Sequence, residues 1–329
     1  MARHRVGALA ALIASAALAL SGCAGGETAG AKEASGGSGK MQIALISKGY
    51  QHQFWQAVRK GAEQKAEELG VDITFEGPAA EVEIDKQLQM LKTAIDKKPA
   101  AIGFAALDPE ACIPTYEEAK AKGVPIIEFD TPCNSDYASS LAASDNYAAA
   151  ALAAQHMADL IGGEGDIAVV GHSQITTTGI DRRDGFVETI KSDYPDVNIV
   201  DIQYGEGDHL ESADIAKTMI AAHPDLKGIF ATNEGSAIGV VNGVKELGMK
   251  PGDITIVGFD SGAAQIEAIK SGLMAGAITQ DPIGMGAQVV QSAYDVATGK
   301  TVDDFTDTGS YWYDSTNIDD PKIAALLYQ

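Results

Sequence analysis

The sequence predicts an α/β protein made of two lobes, each an open, doubly wound parallel sheet. Three observations predict it. Strand-like apolar runs alternate with helix-like periodic segments from Met41 onward. The alternation falls into two successive sets. Polar residues recur where the strands end. Such alternation puts helices on both faces of a parallel sheet, and 329 residues suit two domains at roughly 100–200 residues each.

Gln42-Ile43-Ala44-Leu45-Ile46-Ser47 is a continuous apolar run, as a strand buried on both faces requires. Trp55, Val58, Ala62, Ala66 and Leu69 then recur at steps of three or four and stop at Gly70, which predicts an amphipathic helix with a glycine C-cap. The cycle continues with a strand near 71–75, a helix over 83–97, a strand over 100–105, a helix over 111–122 and a strand over 124–130. The second set has strands near 166–171, 197–203, 228–232, 253–259 and 274–279, with helices between them.

Ligands of doubly wound sheets sit beyond the carboxyl ends of the strands. Ser47 and Lys48 end the first strand, and Asp130, Asn233, Asp260 and Gln280 end four others. One such residue would be an ordinary cap; several at equivalent positions predict the lining of one cleft. Planar Asp, Asn, Gln and Arg groups can each engage two neighbouring hydroxyls. Phe54 and Trp55 offer aromatic faces for the C–H surface of a sugar, with core packing as the ordinary alternative; adjacent helix positions predict that one packs and one faces the ligand. His52 precedes them in the same loop. Arg182 and Arg183 start a helix, where a surface salt bridge is the competing role.

Enzyme signatures are weak. Gly171-His172-Ser173-Gln174-Ile175 begins like a nucleophile elbow but lacks the second glycine. Gly162-Gly163-Glu164-Gly165 precedes a strand, whereas a dinucleotide-binding turn follows one. The six histidines show no metal-ligand spacing, and Asp303-Asp304 and Asp319-Asp320 read as surface acids. The expectation is a binding protein, not an enzyme, without cofactor or metal. With 24 Lys plus Arg against 46 Asp plus Glu, the net charge of −22 repels phosphate backbones and argues against nucleic acid.

Arg3 and Arg5 precede an apolar run, Val6 to Leu20, that is too short for a bilayer core of about 30 Å. Residues 1–22 therefore read as a signal peptide. Its end, Leu20-Ser21-Gly22-Cys23, resembles a bacterial lipobox, with lipid on Cys23; a plain signal peptide with an incidental cysteine is the alternative. Residues 23–40 read as a flexible tether. Cleavage would remove Arg3 and Arg5 and no acid, taking the charge from −22 to −24. Cys112 and Cys133 both emerge at the same end of neighbouring strands, within disulfide reach. An oxidising compartment would favour the bond over two reduced buried thiols.

Residues 41–329 resemble the type I periplasmic sugar-binding proteins of ABC importers, of the ribose-, galactose- and autoinducer-2-binding kind, whose lobes share the fold of lac-repressor-like effector domains. The carriers are Ile43-Ala44-Leu45-Ile46-Ser47-Lys48, Phe54-Trp55, Phe129-Asp130, Ala143-Ser144-Asp145-Asn146, Arg182-Arg183-Asp184-Gly185-Phe186, Ala222-His223-Pro224-Asp225, Thr232-Asn233-Glu234, Val257-Gly258-Phe259-Asp260 and Ile278-Thr279-Gln280-Asp281-Pro282. The resemblance implies ligand contacts at Ser47 or Lys48, His52, Phe54, Trp55, Asp130, Arg182, Arg183, Asn233, Asp260 and Gln280. Ile180 and Gly207 depart from the ribose-binding pattern, with Tyr204 near the latter. The Cys112–Cys133 pair also resembles a disulfide of the autoinducer-2 branch. The resemblance further implies a three-strand hinge near 144–145, 280–281 and 308–309. The lobes would then be 41–144 plus 281–308 and 145–280 plus 309–329. The expectation is a monomer, lipid-anchored outside the cytoplasm, that captures a small sugar or polyol and delivers it to an ABC permease by hinge closure. The alternative is a ligand presenter for a chemoreceptor or sensor kinase, for instance of a furanose signal.

Overall fold

The computed structural model describes residues 39–328. The signal peptide and the Cys23 anchor site lie outside the described residues, as does nearly all of the tether.

The first lobe opens with β1 (Gln42–Ile46), α1 (Gln53–Leu69), β2 (Asp72–Glu76), α2 (Ile84–Lys97), β3 (Ala101–Phe104), α3 (Ile113–Lys122), β4 (Ile126–Phe129) and β5 (Leu141–Ala143). The second runs through α4 (Asn146–Ile161), β6 (Gly165–Gly171), α5 (Thr177–Asp193), β7 (Val197–Tyr204), α6 (His209–Ala222), β8 (Leu226–Ala231), α7 (Glu234–Glu246), β9 (Thr255–Phe259), α8 (Ala263–Lys270) and β10 (Gly276–Gln280). The chain returns to the first lobe for α9 (Pro282–Ala297) and β11 (Phe305–Asp307), then re-enters the second for β12 (Ser310–Asp314) and α10 (Pro321–Ala324).

The sheets have matching orders, β11-β5-β4-β3-β1-β2 and β12-β10-β9-β8-β6-β7. Every pairing is parallel except β12 against β10. The matching orders make β1 equivalent to β6 and β4 to β9. Both sheets are two-faced. One face of the first packs on α1 and α9, and the other buries Leu91, Ile95, Phe104 and Tyr116. The α1–α9 contact is close enough to exclude a methyl group: a Cβ on Gly61 would lie 1.9 Å from the Ile283 carbonyl oxygen, and one on Gly286 1.9 Å from that of Val58.

The element pattern read from the sequence holds, with boundaries shifted by a residue or two. Strands β5, β11 and β12 and the short helix α10 go beyond it. Strands β5 and β11 are three residues each, too short for a periodic signal, and β11 is mostly exposed. The tail also departs from the expected division. Ile318, Ile323 and Leu327 pack on the second lobe, but Tyr328 is buried in the core of the first, with its ring 6.2 Å from Phe54. Its hydroxyl accepts a hydrogen bond from the Ser261 N–H of the second lobe at 3.1 Å, which draws the chain end across.

Candidate functional site

The carboxyl ends of the strands in both lobes converge on one small cavity between the lobes. Its lining includes Lys48, His52, Phe54, Trp55, Asp130, Arg182, Asn233, Asp260 and Gln280, together with Glu81 and His172.

Each lobe sets a cation against a carboxylate. Lys48 Nζ lies 2.8 Å from Asp130 Oδ2, with both side chains about 4% exposed. It also donates to Thr131 Oγ1 at 3.0 Å and, across the cleft, to Thr178 Oγ1 at 3.3 Å. Arg182 donates through Nε to Asn146 Oδ1 at 2.8 Å and through Nη1 to the Thr232 carbonyl at 2.9 Å. Its guanidinium stacks 3.7 Å over the Phe259 ring, and Nη1 stands 3.9 Å from Asp260 Oδ2. The Asp260 carboxylate accepts from Gln280 Nε2 at 2.7 Å and from the Glu234 N–H at 2.9 Å. These bonds hold the planar groups in place before any ligand arrives, which lowers the ordering cost of binding.

The aromatic wall differs from the expected division of roles. Phe54 and Trp55 both line the cavity and both belong to the first lobe's core. Their rings meet edge to face at 4.9 Å, so each covers part of the wall. Trp55 Nε1 donates to Glu81 Oε1 at 2.7 Å, which brings a carboxylate from the irregular loop before α2 into the lining.

His172 ends β6, the counterpart of Lys48 at the end of β1. Its pKa is held well below the usual histidine range, first by burial and then by Arg182, Lys48 and His52. The imidazole is therefore neutral. Thr232 Oγ1 accepts the His172 backbone N–H at 2.9 Å and lies 2.7 Å from Nδ1. His52 Nδ1 is buried and has no hydrogen-bond partner among the described residues.

Two expected contacts are not in the lining. Ser47 turns back, its one hydroxyl proton shared between the carbonyls of Gly49 at 3.1 Å and Glu76 at 3.3 Å. Arg183 follows Arg182 by about 100° around the helix and faces away, bonded to Asp184 and to the Tyr204 hydroxyl. Glu81 and His172 are the residues missed. His172 obeys the strand-end rule that finds the others; Glu81, in a loop without periodicity, has no such signal.

Below the cavity the chain passes between the sheets at residues 144–145, 280–281 and 308–309. Ser144 Oγ ties the three passages together. Its single proton is shared between Gln280 Oε1 at 2.9 Å and the Gly309 carbonyl at 3.0 Å, and Oγ lies 3.5 Å from Thr308 Oγ1. Asp145 and Asp281 cap the helices that follow the first two passages. The Cys112–Cys133 disulfide is formed, with Cα atoms 6.1 Å apart.

Residues 43–301 match the family profile described as periplasmic binding protein domain. The D-apiose import binding protein of Actinobacillus succinogenes is 30% identical over 263 residues, covering 79% of this chain and 83% of the relative. The D-allose-binding periplasmic protein of Escherichia coli is 26% identical over 79% of this chain and 86% of the relative. Among solved structures, a carbohydrate transporter solute-binding protein from Agrobacterium radiobacter in complex with D-arabinose superposes with a TM-score of 0.84 at 32% identity, covering 88% of this chain and 99% of that one. An ABC transporter solute-binding protein from Agrobacterium vitis with bound D-fucose gives 0.84 at 33% identity, over 87% and 100%. With the profile spanning most of the described residues and the same two-lobed architecture in these relatives, the chain belongs to the periplasmic binding protein domain family.

Proposed function

We propose that this protein captures a single neutral monosaccharide or small polyol between its lobes, outside the cytoplasm, and hands it to the permease of an ABC importer. The observation that carries this reading is the cavity: each lobe supplies a carboxylate already paired with a cation, beside an aromatic wall. Asp130 and Asp260 would accept ligand hydroxyls, and Arg182, Asn233 and Gln280 would donate to ligand oxygens. The free Nδ1 of His52 would meet one more hydroxyl, and Phe54 with Trp55 would cover the C–H face. Balanced ion pairs favour a neutral ligand over an anion, because neither charge needs a partner from outside.

The lobes of this reading are 41–144 plus 281–308 and 145–280 plus 309–329, with Tyr328 crossing back. They close about the three passages that Ser144 joins, and ligand held by both lobes favours the closed form. Delivery outside the cytoplasm fits a cleaved signal peptide over 1–22, a lipid on Cys23 and a tether over 23–40. Calorimetry against pentoses, hexoses, their deoxy forms and polyols tests the reading. One-to-one binding without turnover of the sugar is the expected result, and no heat with any of them would overturn it.

A further inference from the structure

Helix α1 lacks a cap of its own. His52 at its N-cap makes no side-chain bond to the first turn. The donors of that turn are instead satisfied from the opposite lobe. Glu234 Oε1 accepts from the Gln53 N–H at 2.9 Å, and Oε2 accepts from the Phe54 N–H at 3.0 Å. The converse holds on the other side. Helix α8 in the second lobe starts at Gly262, whose N–H is taken locally by Gln265 Oε1 at 3.0 Å, and the exposed Ala263 N–H next to it donates to Gln53 Oε1 of the first lobe at 2.6 Å. Helices α4, α5, α6, α7 and α9, by contrast, are capped locally by Asp145, Thr176, Asp208, Asn233 and Asp281.

Open helix N-termini are costly when buried, and a carboxylate bridging two first-turn N–H groups is among the stronger caps. Glu234 is 2% exposed yet does not line the cavity. Its own N–H fixes Asp260, so one residue orders a lining carboxylate with its backbone and grips the other lobe with its side chain.

We infer that Glu234 and Gln53 form a reciprocal clasp, each capping a helix of the opposite lobe, which favours the closed form whether or not a ligand is present. The inference rests on the hinge-closure reading above, but not on the identity of the ligand. Opening the cleft strands the Gln53 and Phe54 N–H groups of α1 and releases the exposed Ala263 N–H of α8 to water, so the Glu234 half carries most of the clasp. It makes Glu234 a positioning residue for binding: it holds the lobes shut around a ligand it does not touch.

The test is a distance distribution between labels at Glu67 and Lys245, one in each lobe, measured without ligand. The wild type is expected to show a closed fraction. Glu234→Ala and Glu234→Gln should each reduce its ratio to the open fraction by about ten- to a hundredfold, the range for bonds to a charged acceptor. Gly262→Ala should reduce it less, since its new methyl would stand 3.0 Å from both Gln53 Oε1 and the Glu234 carboxylate. Asp208→Ala, which removes a cap inside one lobe, should leave the ratio unchanged. A wild type with no closed fraction, Glu234 variants that keep it, or an Asp208 variant that loses it equally would each overturn the clasp. Where a sugar binds, the Glu234 variants should also release it about tenfold faster or more, with little change in association. A failed sugar panel would leave the distance experiment intact.

Discussion

Asp130 and Asp260 occupy equivalent places in the two lobes, at the ends of β4 and β9, and both hold left-handed backbone, with φ of 59° and 77°. Few non-glycine residues adopt this region, and strain of this kind costs of order 1–3 kcal/mol. Their surroundings hold them there. The Asp130 N–H donates to the Ala142 carbonyl at 2.9 Å and that of Asp260 to the Ile278 carbonyl at 2.6 Å. Tyr313 donates its hydroxyl proton to the Asp260 carbonyl at 2.8 Å. The turn aims each carboxylate across the strand end into the cavity.

This pairing separates binding from stability. Asp260→Gly and Asp260→Ala both remove the carboxylate that Gln280 and Glu234 address, so each should weaken sugar binding by about 3 kcal/mol or more, beyond a hundredfold. The glycine variant should unfold at higher denaturant than the alanine one, by about 1 kcal/mol, because only alanine retains the cost of a Cβ at positive φ. The same ordering should hold at Asp130. Titration calorimetry and urea melts check the two halves; equal stability of the glycine and alanine variants would remove the strain argument.

Lys48 makes a different kind of contribution. Its ammonium is buried against Asp130, so Lys48→Met leaves a carboxylate without its partner. Breaking one side of a buried pair costs about 3–5 kcal/mol, and the midpoint of urea unfolding should fall accordingly. Adding Asp130→Asn to Lys48→Met should recover a large part of that loss while binding stays weak. A double variant no more stable than Lys48→Met would mean that the pair is not the source of the cost.

Most of the site is legible because one rule, polar residues at strand ends, is a property of the doubly wound topology. It reaches Lys48, Asp130, Asn233, Asp260 and Gln280, and it applies equally to His172, which the neighbouring Gly171 and Ser173 disguise as part of an elbow. Choosing between neighbours is harder. Ser47 against Lys48 and Arg182 against Arg183 are decided by which side chain finds a partner elsewhere: Ser47 finds Gly49 nearby and Glu76 far along the chain, and Arg183 finds the adjacent Asp184 and the distant Tyr204. The Trp55–Glu81 bond and the tail's return to Phe54 are purely tertiary. The short strands β5 and β11 exist because neighbouring strands pair with them, not because their residues announce them.

The disulfide closes a loop of 21 residues between Cys112 and Cys133. Chain-entropy reasoning gives about 3 kcal/mol for a loop of this size. Replacing both cysteines by alanine should therefore lower stability by roughly that amount. Sugar affinity should change little, because neither cysteine lines the cavity. Equilibrium unfolding and calorimetry on the same variant check this, and a matched loss of affinity would place the bond's influence at the site.

Glu128 lies on β4 itself, two residues before Asp130, which follows the strand in left-handed backbone. While Asp130 serves the cavity, the Glu128 side chain lies 5% exposed beside Tyr116 and Cys133 of the disulfide. Its Oε1 accepts from the Tyr116 hydroxyl at 3.0 Å and from the Cys133 N–H at 2.8 Å. Burial nevertheless outweighs both bonds and pushes its pKa up to about 7 from 4.5. An acid whose folded pKa is raised favours folding most below its unfolded value. As pH rises from 4.5 through 7 the unfolded chain loses this proton first. The folded state is left paying about 3 kcal/mol at alkaline pH. Glu128→Gln keeps an acceptor for both donors and removes the titration. The stability difference between variant and wild type should therefore grow in the variant's favour from pH 5 to pH 8, by about 3 kcal/mol at most. Urea unfolding of both proteins across that range checks it, and a difference that stays flat would show that Glu128 ionises in the fold as freely as in the unfolded chain.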